Sequence, residues 1–171
     1  MTIVIANTID LVAALIQICS GTLKKKSKIL IVQIVQLFLQ GVSMLLLGGV
    51  TGAINNAMSC YRNYLCYKEK LNHFWKAAII VISAGLTFFF NQQGVLGILP
   101  VVICAVYIIF MDIKDPVKFK ILVTLSFLPW MVYHFMIRSY VGAIFDAASV
   151  ITNAITLYLM VADQKSKKDS K

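Results

Sequence analysis

The chain has 171 residues, of which 60% are hydrophobic and 13% charged; with a mean hydropathy of +0.83 it reads as an integral membrane protein, not a soluble domain. At about 20 residues per spanning helix, this length leaves nothing over for a soluble catalytic domain, and no GxxxxGK[ST] phosphate loop is present to drive an ATP-powered pump. The formal net charge of +9 sits in the connections between apolar runs, which excludes a nucleic-acid surface and makes charge a signal of topology.

The first ten residues, MTIVIANTID, lack the basic leading region of a cleaved signal, so the first run is expected to stay as a helix. Apolar runs follow at 3–20, 29–47, 51–67, 74–90, 95–111, 119–137 and 140–162, and seven spans fill the chain. Lys24, Lys25, Lys26 and Lys28 follow the first run; Lys68, Lys70 and Lys76 follow the third. Lys114, Lys118 and Lys120 follow the fifth, and Lys165, Lys167, Lys168 and Lys171 form the tail. The connections after runs two and four carry no lysine or arginine, and the one after run six carries only Arg138. Every lysine therefore falls on one side, which the positive-inside rule makes cytoplasmic: N-terminus outside, C-terminus inside. The tail itself is expected to be a solvated end that sets orientation, with anionic lipid as its other partner.

Cys19, Cys60, Cys66 and Cys104 fall within or at the ends of apolar runs and read as small packing residues. With His73 in a connection and His134 in the sixth run, no ligand spacing for a metal arises, and no cofactor is implied.

Sliding the chain against itself aligns GAINNAMSCYRN at 52–63 with GAIFDAASVITN at 142–153, an offset of 90 with six of twelve positions identical. Runs one to three map onto runs five to seven. Three spans reverse the side of the chain, so a second copy in the same direction needs an odd number of spans between them, and run four supplies it. The expected fold is all-α with a 3+1+3 parallel repeat: a first triple-helix bundle (1–70), an inversion helix (71–93), a second bundle (94–163) and a basic tail (164–171). Parallel repeats related by an axis along the membrane normal place a solute site near the midplane.

The paired Asn63 and Asn153 in this 3+1+3 frame resemble the SWEET, SemiSWEET and PQ-loop superfamily. The stretches GVSMLLLGGVTGAINNAMSCYR (41–62) and LPVVICAVYIIF through LPWMVYHFMIRSYVGAIFDAASVITNAI (99–155) are similar to the YgjV-type bacterial inner-membrane proteins. The superfamily resemblance implies two bundles that rock to alternate access to a central site, with prolines in the first two spans of each. Pro100 and Pro129 fit that pattern; their repeat mates are Asp10 and Leu39.

Asn56, Ser59 and Asn63 share one helix face, and Asp146, Ser149 and Asn153 repeat the spacing. Polar groups lose their water partners in lipid, so both stripes are expected to turn inward. The serines also suit plain helix packing, whereas a carboxylate in the apolar zone costs on the order of 3 kcal/mol and points to function. Gln33, Gln36, Gln40 and Ser43 in run two face Ser126, Trp130 and His134 in run six. Trp130 suits stacking on a sugar or aromatic ring, or filling a tight bundle. His134 is either a structural hydrogen-bonder or a proton carrier. Arg62 lies deep in run three, to pair with Asp146 across water or solute, to bind an anion, or to snorkel.

These residues predict a uniporter or proton-linked carrier of a small polar solute such as a sugar or metabolite. Asn56, Asn63, Asp146, Asn153, Gln40 and Trp130 would bind the solute, and Asp146, Arg62, Asp10 and His134 would supply coupling or charge pairing. The alternative is a non-transporting scaffold or regulatory membrane subunit. An intramembrane hydrolase built on Asp10, Asp146 and His134 is disfavoured, since no spacing sets those groups at one depth. The expected partners are the solute and the bilayer, with a homo-oligomer left open.

Overall fold

Of the three prolines, Pro100 and Pro116 stand in the first turn of a helix and only Pro129 is interior to one, and in a bilayer every backbone amide must find its partner within the segment, so each run closes on itself as a helix. The computed structural model describes residues 2–46, 49–91, 94–136 and 140–169, with side chains described except at 2, 96, 133–136, 140–141 and 165–169. Its helices are α1 (Thr2–Gly21), α2 (Lys26–Leu46), α3 (Val50–Tyr67), α4 (His73–Phe90), α5 (Leu99–Phe110), α6 (Pro116–Met136) and α7 (Tyr140–Asp169). Each expected run falls in its own helix. Among the described residues, four stretches are long and apolar enough to cross a membrane, Ile3–Gly21, Lys26–Leu46, His73–Phe90 and Gly142–Gln164. Helix α3 falls short in apolarity because it carries Asn55, Asn56, Arg62 and Asn63. Helix α5, at 12 residues, covers only about 18 Å at 1.5 Å per residue, although a 3-10 turn, Gly94–Ile98, leads straight into it. Helix α7 runs past the apolar boundary at 162 to Asp169, so the start of the basic tail continues the helix.

Six helices form a ring: α1 packs on α2, α2 on α3, α3 on α5, α5 on α6, α6 on α7 and α7 back on α1. Helix α4 stands outside it, against α3 and α5. The burial pattern inverts that of a soluble protein. Phe88 and Phe89 of α4 are more than four-fifths exposed, while Gln17, Asn56, Arg62 and Asp146 are buried. Only a lipid surround makes that distribution favourable.

At the lysine-rich end the ring is closed. Ile29, Leu30, Cys66, Met111, Phe119 and Val123 form an apolar plug below Tyr107. Around it, lysines cap helix ends that are not their own. Lys120 Nζ of α6 donates to the Gly21 and Leu23 carbonyls at 2.5 and 3.0 Å, and Lys26 Nζ of α2 donates to the Met111 and Ile113 carbonyls at 2.6 and 2.8 Å. Ammonium groups placed there satisfy orphan carbonyls and complement the negative end of the helix dipole. The C-termini of α1 and α5 are thus each held by a helix across the ring. Lys76 of α4 adds a third tie, to the Ile109 carbonyl at 2.9 Å and the Asp112 carboxylate at 3.0 Å.

Candidate functional site

Inside the ring lies a cavity of about 320 Å³, to which all six ring helices contribute. It begins among Gly49, Thr51, Gly97 and Gly142, at the lysine-poor end, and runs down to Gln33, Arg62 and Tyr107 above the plug. Two cavity-lining glycines have no room for a side chain: a Cβ on Gly97 would run into Asn91 Oδ1 and one on Gly52 into Met44 Sδ.

The deep end is built around Arg62, which is 6% exposed. Its Nε and Nη2 both donate to Asn63 Oδ1 at 3.1 Å, and its Nη1 reaches Cys104 Sγ of α5 at 3.1 Å. The guanidinium carbon sits 4.5 Å from the centre of the Tyr107 ring, a cation–π arrangement. Asn63 Nδ2 in turn donates to Gln33 Oε1 of α2 at 3.2 Å. Asn63 is fully buried and lies behind the guanidinium, outside the cavity lining. It positions Arg62, where a solute ligand was expected.

The wall between α1 and α7 is built around Gln17. Its Nε2 donates to Asp146 Oδ1 at 2.9 Å and to Ser149 Oγ at 3.1 Å. The expected partnership of Asp146 with Arg62 is therefore not a direct one: among the described residues the ion pairs are Lys24–Asp163 and Lys76–Asp112, both at the lysine-rich end. Asn153, fully buried, donates to the Ser149 carbonyl at 2.7 Å and does not line the cavity. It lies where α1 comes closest to α7, since a Cβ on Gly21 would sit 2.3 Å from Thr152 Oγ1 and 3.1 Å from Asn153 Nδ2.

Of the residues expected to bind or couple solute, Asn56, Asp146, Gln40, Trp130, Arg62 and Asp10 line the cavity. The His134 side chain, like Arg138, lies outside the described residues. Gln36 Nε2 donates to Gln40 Oε1 at 2.9 Å, so the α2 stripe is internally bonded as well as cavity-facing. Sequence reasoning missed Gln17, Tyr107 and Asn55 as site residues. An amide far along the apolar α1, ten residues beyond Asn7, was the available signal for Gln17; Tyr107 is one aromatic among many and carried none. The described His, Cys, Asp and Glu residues form no cluster that could hold a metal ion.

Residues 4–164 match the model of the Imp-YgjV family, described as bacterial inner membrane protein. The chain belongs to this family. It is a bacterial inner-membrane protein, and its several apolar helices long enough to cross a membrane agree with that description. All of the cavity lining, from Asp10 to Asp146, falls within the matched residues. No curated protein and no solved structure is similar enough to the chain to match.

Proposed function

We propose that the protein carries a small polar solute across the inner membrane by alternating access. The observation behind this reading is the polar cavity enclosed by six helices, closed below by an apolar plug and two cross-ring lysine ties. A scaffold has no need of such a space: buried amides and a guanidinium around an interior cavity are costly in a bilayer unless something polar enters it.

The packing order supports two moving units. Helices α1–α3 and α5–α7 meet along two seams, α3 on α5 and α7 on α1, and the offset of 90 exchanges one seam for the other. That is the relation expected of two parallel repeats, with α4 as the inversion helix. The likeness to the SWEET superfamily rests on this arrangement and on Asn63 and Asn153; the family match is to YgjV alone. With the lysines cytoplasmic, the arrangement is an outward-facing state. Rocking the two bundles would break the lysine ties and close the mouth at Gly49 and Gly142.

The test is uptake into proteoliposomes of a labelled sugar, an amino acid, a hydroxy acid and inorganic phosphate. Saturable uptake of one of them above that of protein-free vesicles supports the carrier; leakage-level uptake of all four, with the protein folded, rejects it.

A further inference from the structure

We infer that the solute carries an anionic group, a carboxylate or a phosphate, which Arg62 and Tyr107 bind at the bottom of the cavity. The inference rests on reading the cavity as the solute site and adds the chemical class of what enters it. A guanidinium has five N–H donors, and the bonds Arg62 makes use one on each of its three nitrogens, to neutral acceptors: the Asn63 amide oxygen and the Cys104 sulfur. Among the described residues no carboxylate lies within ion-pair distance of it: the two ion pairs there belong to Lys24 and Lys76, on the far side of the plug. A buried cation held only by neutral groups is expensive. Asn63 fixes the plane of the guanidinium from behind, which leaves its remaining donors to the cavity and fits forked recognition of an anion.

A second observation comes from α5. Tyr107 is 6% exposed and lines the cavity beside Arg62, and its hydroxyl, which has the Gln33 amide near it, makes no well-formed hydrogen bond among the described residues. A buried hydroxyl without a partner is costly, and an anion seated on Arg62 would accept from it. Further up α3, Asn55 also lines the cavity and is buried; its Nδ2 donates to Thr87 Oγ1 of α4 at 3.4 Å, and its Oδ1 has no partner among the described residues. Asn55 and Arg62 are seven residues apart and share a helix face, roughly 10 Å along the axis. The deep end thus offers unfilled donors and the upper part an unfilled acceptor. The matching solute is a small anion that carries a hydroxyl or amine at its other end: a hydroxy acid, an amino acid or a compact phosphate ester.

Binding can be read without transport, as the thermal shift of the purified full-length chain in detergent with lactate, glycine, inorganic phosphate or glucose. Lactate or glycine, or else phosphate, should raise the melting temperature and glucose should not; which of them acts separates a carboxylate from a phosphate site. Apparent affinity should fall about tenfold to a hundredfold in Arg62→Gln and less in Arg62→Lys. Tyr107→Phe, which keeps the ring over the guanidinium, should weaken binding severalfold, and it carries the test if Arg62→Gln does not fold. Stabilisation by glucose equal to that by the anions, no shift with any anion, or an undiminished shift in both Arg62→Gln and Tyr107→Phe would overturn the inference. Proteoliposome uptake separates the two claims. Glucose uptake alone keeps the carrier and removes the anion site, whereas anion binding without uptake keeps the site and removes the carrier.

Discussion

Gln17 is the residue on which the α1–α7 wall depends, because one amide group serves both Asp146 and Ser149. Gln17→Leu should leave both short of a donor in an apolar setting and cost about 1–3 kcal/mol, read as a lower melting temperature in detergent. Asp146→Asn is a different kind of change. The amide keeps an oxygen to accept from Gln17, and the repeat mate Asn56 shows that an amide is sterically at home in the equivalent place. It should therefore insert normally and melt within about 1 kcal/mol of the parent, while proton-linked solute uptake disappears, because an amide cannot take up and release a proton. Uptake unaltered across the pH range would remove Asp146 from the mechanism. The carboxylate was recognisable in the sequence because its insertion cost demanded a reason; its partner was not, because Gln17 lies 129 positions away and no spacing rule reaches that far.

At the scale of elements, the lysine ties are contacts between a helix start and the end of a helix across the ring. Lys120→Met removes two carbonyl bonds from the C-terminal end of α1, and Lys26→Met does the same at α5. Each change weakens the closed end by about 1–2 kcal/mol, roughly a tenfold rise in the open fraction. Cys66, buried in the plug, reports that opening. In a chain whose Cys19, Cys60 and Cys104 are alanine, a membrane-impermeant thiol reagent should label Cys66 about tenfold faster in either variant; unchanged labelling would mean the ties do not hold the end shut. The α4 tie gives a pH signature. The bond from Lys76, with its charge, holds the Asp112 carboxyl below its ordinary 3.8. A carboxyl depressed in the folded state contributes fully above its unfolded value and loses that contribution as pH falls through the folded one. The melting temperature should therefore drop in acid below about pH 4, and Asp112→Asn should flatten that part of the profile. The step should be small, because Asp112 is more than half exposed and solvent screens the pair.

For the molecule as a whole, odd-span topology is the claim with the widest consequences, since two bundles can be parallel only if α4 crosses the membrane between them. A reporter at the N-terminus should appear outside and one after Lys165 in the cytoplasm; both on one side would exclude seven crossings and with them the parallel repeat. The sequence alone determined the membrane environment, the seven helices and their near-correct ends, because apolar length and intrasegment hydrogen bonding act locally and need no knowledge of neighbours. It also determined that the polar stripes turn inward, since lipid offers them nothing. Which polar residues reach the cavity was decided only by tertiary structure. Asn63 and Asn153 carry the sharpest repeat signal, yet neither lines the cavity: one accepts from Arg62, the other sits where α7 meets Gly21. Periodicity assigns a face to a helix, but the rotation of that helix against two neighbours divides the face between cavity and seam. That rotation is set by close contacts such as Gly21 on Thr152, between residues far apart in the chain.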